Sequence, residues 1–286
     1  MGTYAVTGAA SGMGREVVGR LRAQGHEVID VDIAEATVRA ALSAPAGRAA
    51  AAAGVLERAG GALDGAVMAA GIGPSPGKDR PRLICEVNYN GVVDLLTSWR
   101  PALAAAERAK VVVYGSNSTT TTPLVPSRAV RALLDGNVDK AVSTTRLFGS
   151  TAPAIAYAAS KIAVSRWVRH TAVLPDWAGA GIRLNALAPG AIMTPLLEKQ
   201  LSTPSEARAI RAFPVPVGGF GNAGDLAAWT EFMLADTADF LCGSVIFVDG
   251  GSDAYFRPDA WPRPVPARQL VGYLRRFRGF GRRGRR

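Results

Sequence analysis

Near its start the chain reads Tyr4-Ala5-Val6-Thr7-Gly8-Ala9-Ala10-Ser11-Gly12-Met13-Gly14. The apolar run at residues 4–6 is typical of a short buried strand, and residues 16–22 carry apolar side chains at helical spacing. Glycines between a strand and a helix let the backbone turn sharply, because glycine adopts conformations that other residues rarely reach. The stretch therefore predicts a strand, a tight turn and a helix, the opening unit of an α/β fold.

A second predicted strand follows and ends in an acid. Residues 26–32 form a strand-like run that closes with Asp32, 18 residues after Gly14. The start of a helix offers unpaired N–H groups and a partial positive charge to phosphate. An acid about 20 residues beyond such a turn is typical of the carboxylate that holds a ribose diol. The glycines alone would also fit an ordinary loop. The order of strand, glycines, helix, strand and acid favours a dinucleotide site instead.

Farther along, Tyr157 and Lys161 stand four residues apart within a predicted helix, Ala154–Val173. Residues at this spacing share one helix face, so the phenol and the ammonium group would project into one site. A free tyrosine has a pKa of about 10, and a nearby cation lowers it. The pair therefore suits proton transfer to or from an alcohol oxygen.

Six segments in chain order resemble those of the short-chain dehydrogenase/reductase family, from residue 3 to about residue 256. The resemblance is specific because the segments occur together and in the family's order. The matching residues are Thr7, Gly8, Gly12 and Gly14; Asn88 within Val87–Gly91; Ser116 after the apolar run 111–113; Tyr157 and Lys161; Arg183–Gly190 followed by Thr194; and Asp249, Gly250 and Gly251.

The resemblance implies a single-domain, Rossmann-type, doubly wound parallel sheet and an NAD-dependent alcohol/carbonyl oxidoreductase. In the family's scheme Ser116 bonds the substrate oxygen, Tyr157 transfers the proton, and Lys161 lowers the tyrosine pKa and holds a ribose. Asn88 supports a water beside Lys161. The implied cofactor-binding residues are Gly8, Ser11, Gly12, Met13, Gly14, Asp32, Leu42, Ala70, Gly71, Tyr157, Lys161, Pro189, Gly190, Ile192 and Thr194. The implied substrate-binding residues are Ser116, Thr119, Tyr157, Met193, Leu196 and Leu197.

The choice of cofactor should be NAD(H). Asp32 would accept hydrogen bonds from the ribose hydroxyls and would repel a 2′-phosphate. No arginine stands in the glycine turn to offset that charge, since the residue before Gly12 is Ser11. Ala41 stands where an acid of the family often contacts adenine.

Within the family, the chain most resembles the 3α-hydroxysteroid dehydrogenase/carbonyl reductase branch. Ser116 and Tyr157 are 41 residues apart, which is longer than is common, and residues 119–150 are predicted to form an insertion at the cleft rim. The implied substrate is an apolar secondary alcohol or ketone of steroid, terpene or aromatic type. Family members commonly pair through the helices predicted at Val87–Ala106 and Ala154–Val173. A homo-oligomer is expected, with a dimer favoured over a tetramer, and the insertion would either obstruct that contact or join a new one.

The remaining pattern fits one catalytic domain over residues 1–256. The 48% hydrophobic content is ample for a core, and no apolar run is long enough to span a membrane. A first strand at residue 3 leaves no room for a signal peptide, so a cytoplasmic protein with Cys85 and Cys242 reduced is expected. His26 and His170 lie far apart, so no metal site is predicted. Strands are predicted at Leu63–Met68, Lys110–Tyr114, Ile182–Leu187 and Val245–Val248, and further helices at Ala46–Ala59 and Asp225–Ala235.

The charge lies mostly in a Pro- and Arg-rich tail, residues 257–286. Ten arginines and one acid, Asp259, give the tail a charge of +9, which leaves +1 for the rest of a chain whose net charge is +10. Prolines at 258, 262, 264 and 266 predict a stiff joint. Beyond it, Leu270, Val271, Leu274 and Phe277 would line one face of a short basic helix. Three alternatives stay open: a solvated tail, peripheral contact with anionic membrane, and contact with nucleic acid or an acidic partner, of which nucleic acid has no supporting motif.

A protein that binds NAD without turnover, as a sensor or scaffold, is the alternative function. Loss of Ser116, Tyr157 or Lys161 would favour it, and all three are present.

Overall fold

The computed structural model describes residues 1–77, 79–260 and 264–283, and in them the chain folds around a parallel sheet. The strands of these residues, β1 to β9 in chain order, are Thr3–Thr7, Glu27–Asp32, Val38–Arg39, Gly65–Met68, Lys110–Tyr114, Arg183–Pro189, Ile192–Met193, Gly221–Asn222 and Val245–Val248. Seven of them pair in the order β3-β2-β1-β4-β5-β6-β9, and β7 pairs with β8. The predicted doubly wound, Rossmann-type fold is confirmed.

Helices cover both faces of the sheet. In chain order, α1 to α13 of the described ranges are Gly12–Ala23, Pro45–Arg58, Arg80–Cys85, Gly91–Ala105, Ser118–Thr121, Ser127–Leu134, Val138–Arg146, Ala152–Thr171, Pro195–Leu201, Pro204–Ala212, Ala223–Leu234, Ser252–Phe256 and Leu270–Arg283. One core packs α1 and α11 against the sheet, and the larger core packs α2, α4 and α8 against the other face. The predicted helices at 46–59, 154–173 and 225–235 therefore differ from α2, α8 and α11 by only one or two residues at each end.

The strand order reverses next to β1, and this reversal positions the site. β1 pairs in parallel with both β2 and β4, so the chain runs outward on one side and then crosses to the other. In such sheets ligands bind at the carboxyl ends of the strands beside the reversal. The glycine turn after β1 lies at this point.

The segment at residues 119–150 contributes to the larger core. It contains α6 and α7, which pack against α3 and α8. Val130, Leu133 and Val142 are buried in that contact. The helices α6 and α7 of this segment cover one side of α8.

One local feature differs from the predicted elements. The helix expected from residue 87 is preceded by a π-helical turn, Glu86–Asn90, and α4 begins only at Gly91. The helix α4 continues through Pro101 as far as Ala105. Cys85 and Cys242 are both unpaired, as expected.

The tail forms the helix α13, and residues 270–280 are all exposed or half-buried. Among the tail residues named above, Pro262, Arg263, Arg285 and Arg286 lie outside the described residues. Across the residues that the structure describes, no helix is both long and apolar enough to cross a membrane.

Candidate active site

The glycine turn is shaped by contacts that exclude a side chain. Gly8 and Gly12 have φ of 69° and 54°, in the left-handed region that favours glycine. A Cβ atom on Gly14 would lie 2.1 Å from the carbonyl oxygen of Gly8, and one on Gly8 would lie 2.6 Å from the amide nitrogen of Ala70. Ser11 does not cap α1 with its side chain, so the first N–H groups of the helix stay available to a ligand.

A cleft of about 390 Å³ opens above this turn. Asp32 stands in its wall at the end of β2. Its carboxylate oxygens accept hydrogen bonds of 3.0 Å from the amide nitrogens of Ala10 and Ala34, which fix its direction. The predicted residues that line the cleft are Gly8, Ser11, Gly12, Met13, Gly14, Asp32, Leu42, Ala70, Gly71, Thr194 and Leu196.

This cleft fits a dinucleotide. The uncapped start of α1 offers N–H donors to a pyrophosphate, and the glycines, which have no side chains, let it approach the backbone closely. The oriented carboxylate of Asp32 suits the hydroxyls of a ribose. The remaining predicted cofactor residues lie outside the lining: Pro189 ends β6, Gly190 packs against Asp249, Ile192 is buried in β7, and Tyr157 and Lys161 are on α8.

The four predicted catalytic residues come from three parts of the fold. Ser116 follows β5, Tyr157 and Lys161 lie on α8, and Asn88 lies in the π-helical turn. The Tyr157 hydroxyl lies beside the Ser116 side chain. Ser116 and Lys161 are buried, and Lys161 Nζ donates a 2.7 Å hydrogen bond to the carbonyl oxygen of Tyr114.

Asn88 joins this group to the cleft. Its fully buried amide accepts from the Ile72 nitrogen at 2.9 Å and donates to the Ile72 oxygen at 3.1 Å. A Cβ atom on Gly71 would lie 3.3 Å from Asn88 Oδ1 and 3.8 Å from Lys161 Nζ. The two polar groups thus meet at Gly71, which also lines the cleft.

The pKa of Tyr157 differs from the expectation. The sequence predicts that Lys161 lowers it, but in the structure burial raises the pKa of Tyr157, and the neighbouring Ser116 side chain opposes that rise. Lys161 Nζ lies 5.9 Å from the centre of the tyrosine ring, and burial lowers the pKa of Lys161 to about 8. Desolvation of both groups, which sequence spacing does not reveal, dominates here.

The predicted substrate residues occupy different positions. Leu196 lines the cleft and packs over Gly73, whereas Leu197 is the buried residue of α9 and Met193 is partly exposed in β7. Thr119 bonds the Ser116 carbonyl through its hydroxyl. Thr194 caps α9 by accepting from the Leu197 nitrogen at 3.4 Å.

Sequence reasoning missed Arg48, a buried residue behind the cleft wall. Its guanidinium donates to the carbonyl oxygen of Leu42 at 3.1 Å, to Glu86 at 3.0 Å and to Asp94 at 2.6 Å. It therefore ties the wall at Leu42 to the π-helical turn that carries Asn88. A signal was present: residues 48, 51, 52 and 55 share one helical stripe, and the last three are buried apolar residues.

The chain is similar to known dehydrogenases and reductases. A family model described as Enoyl-(Acyl carrier protein) reductase matches residues 127–253. The 3-alpha-hydroxysteroid dehydrogenase/carbonyl reductase of Comamonas testosteroni is 34% identical over 90% of this chain and 99% of its own. The 3-alpha-hydroxysteroid dehydrogenase of Pseudomonas sp. B-0831, solved with NADH, is 40% identical, with a TM-score of 0.83 over 90% of this chain and 99% of its own. The levodione reductase of Leifsonia aquatica is 29% identical over 88% of this chain and 94% of its own.

Fold, site and relatives together define an oxidoreductase built on a dinucleotide-binding sheet. The chain belongs to the short-chain dehydrogenase/reductase family. The predictions of an enzyme and of its resemblance to the hydroxysteroid dehydrogenase branch are confirmed. The alternative of a sensor without turnover is therefore set aside.

Proposed function

We propose that the protein interconverts a secondary alcohol and its ketone on an apolar substrate, with NAD(H) as cofactor. The observation that carries this proposal is the convergence of Lys161 Nζ and Asn88 Oδ1 at Gly71 on the cleft, with Tyr157 on the same helix as Lys161 and its hydroxyl beside Ser116. Bound NAD(H) accepts or supplies the hydrogen that leaves or joins the carbon of the reacting group.

Each side chain has one task in this proposal. Ser116 hydrogen-bonds the substrate oxygen and holds it against Tyr157. The Tyr157 hydroxyl gives its proton to that oxygen in reduction and takes it back in oxidation. Lys161 holds the ribose next to the reacting carbon, and Asn88 keeps the loop at Ile72 in place and supports a water beside Lys161.

NAD(H) is supported over NADP(H) by the held carboxylate of Asp32 and by the NADH in the Pseudomonas relative. We expect a preference for NAD of tenfold or more. A repulsion of about 1.4 kcal/mol between the Asp32 carboxylate and the 2′-phosphate of NADP is enough for a tenfold difference. Asp32→Ala should raise kcat/KM with NADP and reduce or reverse that preference, because Arg39 lies opposite Asp32 in the β2–β3 pairing.

The matched control is Asp30→Ala on the same strand. Asp30 pairs with Arg22 at 2.8 Å and with Thr37 rather than facing the cleft. Its loss should leave the ratio of kcat/KM for the two cofactors unchanged. Equal use of NAD and NADP by the unaltered enzyme would refute the assignment of Asp32.

An apolar substrate is supported by the hydroxysteroid and levodione substrates named for two relatives. The test is a panel of steroid, terpene and aromatic alcohols and ketones, followed by absorbance of the reduced nicotinamide. A strict preference for a charged substrate such as a phosphorylated sugar would contradict the proposal, as would turnover of none of the panel. We place the rim of the substrate site at residues 119–150 together with Met193, Leu196 and Leu197.

The assembly is proposed to be a homodimer. The helices α6 and α7 of the same chain already cover one side of α8, which works against the pairing common in the family. On α11, Trp229 and Phe232 are exposed with their rings 6.4 Å apart, and the nearby strand β9 is an edge of the sheet. An exposed apolar patch beside an unpaired edge suits a self-complementary contact.

We therefore expect light scattering to give the mass of a dimer at micromolar concentration. Phe232→Asp should shift it toward the monomer, whereas Leu147→Asp, an exposed apolar residue in the insertion, should not. A monomer in the unaltered protein would refute any oligomer, and equal effects of both substitutions would refute this interface.

We further propose that the catalytic domain spans residues 1–256 and that residues 257–286 are an appendage.

The unpaired thiols of Cys85 and Cys242 favour a reducing compartment such as the cytoplasm.

A further inference from the structure

The C-terminal helix α13 carries features that the catalytic site does not use. At about 100° per residue, its apolar side chains form one stripe of about 120° and the arginines occupy the remainder. The stripe consists of Leu270, Tyr273, Leu274, Phe277 and Phe280. The rings of Tyr273 and Phe277 stack with centroids 6.4 Å apart, as expected for neighbours on one face. Val271, which was predicted on this face, lies instead on the arginine side.

The stripe is open to solvent. Phe277 is 72% exposed and Phe280 is 78% exposed. The main contact of α13 among the described elements is with the 3₁₀ turn directly before it, Ala267–Gln269. A contiguous apolar stripe left on the surface in this way marks an interaction site.

We propose that α13 lies in the interface of an anionic lipid bilayer, with the stripe buried in the acyl region and the arginines at the headgroups. Helices with one apolar face and one basic face bind in this way. The charge is complementary, because the tail carries +9 while the rest of the chain carries only +1. The attraction is therefore confined to the segment that also holds the apolar stripe.

Other partners use only half of these features. Nucleic acid would pair with the arginines but would leave the aliphatic and aromatic stripe in water. A second copy of α13 would cover the stripe but would bring two strongly basic helices together. A bilayer with anionic lipids satisfies both the stripe and the charge. The proposal does not depend on the reaction that the enzyme catalyses.

The test is co-sedimentation of the full chain with vesicles of phosphatidylcholine and phosphatidylserine, compared with phosphatidylcholine alone. Binding should need the anionic lipid and should fall as salt rises. Each arginine near the surface strengthens binding about fivefold, so the triple change Arg275→Gln, Arg276→Gln and Arg278→Gln should weaken it by roughly 100-fold. The matched triple change to lysine keeps the charge and should retain most of the binding.

The apolar stripe is tested separately. Phe277→Ser with Phe280→Ser should weaken binding although the charge is unchanged. Phe277→Trp should give tryptophan emission that shifts to shorter wavelength on anionic vesicles, after subtraction of the parent protein's signal. Removal of residues 267–286 should abolish vesicle binding and leave turnover intact.

Three outcomes would overturn the proposal. They are failure of the full chain to bind anionic vesicles at low salt, equal binding after removal of residues 267–286, and tighter binding to duplex DNA than to vesicles at the same salt.

Discussion

Replacing Tyr157 by phenylalanine should lower kcat by about 10²- to 10⁴-fold, the usual contribution of a general acid or base. The ring packs against the main core and would stay in place, so only the hydroxyl beside Ser116, with its transferable proton, is lost. Because burial raises the pKa of this hydroxyl, it remains protonated at neutral pH and is ready to act as the acid in ketone reduction.

The measurement is kcat with an active ketone, together with NADH binding followed by fluorescence. NADH affinity should stay within a few-fold of the unaltered enzyme, because the hydroxyl does not line the dinucleotide cleft. Tyr4→Phe is the matched control, since Tyr4 is a buried tyrosine on β1 whose ring meets His26 edge to face, away from α8. Retention of more than a tenth of kcat in Tyr157→Phe would mean that another group transfers the proton.

Much of the fold and part of the site follow from local spacing. The glycine turn and Asp32 were predictable because a strand, a helix and a ribose carboxylate occur at fixed intervals along the chain. The common face of Tyr157 and Lys161 follows from one helical turn. Both rules work because the interacting groups are near one another in sequence or are bound to one regular element.

What could not be predicted depends on contacts between distant segments. The burial that sets the pKa of Tyr157 and of Lys161 comes from packing around α8, including the insertion helix α6. The π-helical turn that holds Asn88 against Ile72 has no distinctive spacing in the sequence. For the same reason the substrate residues Leu197 and Met193 could be placed near the site but not given a direction.

Arg48 is another feature that depends on contacts between distant segments. Its replacement should have the largest effect on stability. The side chain is only 6% exposed and meets Glu86, whose side chain is 16% exposed. Arg48→Met would leave that carboxylate buried without its partner, along with the carbonyl oxygen of Leu42. Breaking a buried ion pair by removing one member typically costs about 3–5 kcal/mol. For a domain of this size the midpoint of thermal unfolding should fall by roughly 6–20 °C.

The matched control is Arg58→Met on the same helix. Arg58 is surface-exposed, pairs with Glu57 at 3.6 Å and bonds the Gly54 carbonyl, so its loss should change stability by no more than about 0.5 kcal/mol. Arg48→Lys should recover only part of the loss, because a single ammonium cannot bridge three acceptors in the fork geometry of a guanidinium.

A separate measurement distinguishes a role in the cleft from a role in the core. Arg48 holds the Leu42 carbonyl in the wall beside Asp32, so Arg48→Lys should raise KM for NAD more than it lowers kcat, at a temperature where the variant is folded. If the role of Arg48 were purely structural, its replacement would change the unfolding midpoint but would not change KM for NAD in the folded variant. An unchanged midpoint in Arg48→Met would contradict a stabilising role for the hydrogen bonds of Arg48 to Leu42, Glu86 and Asp94.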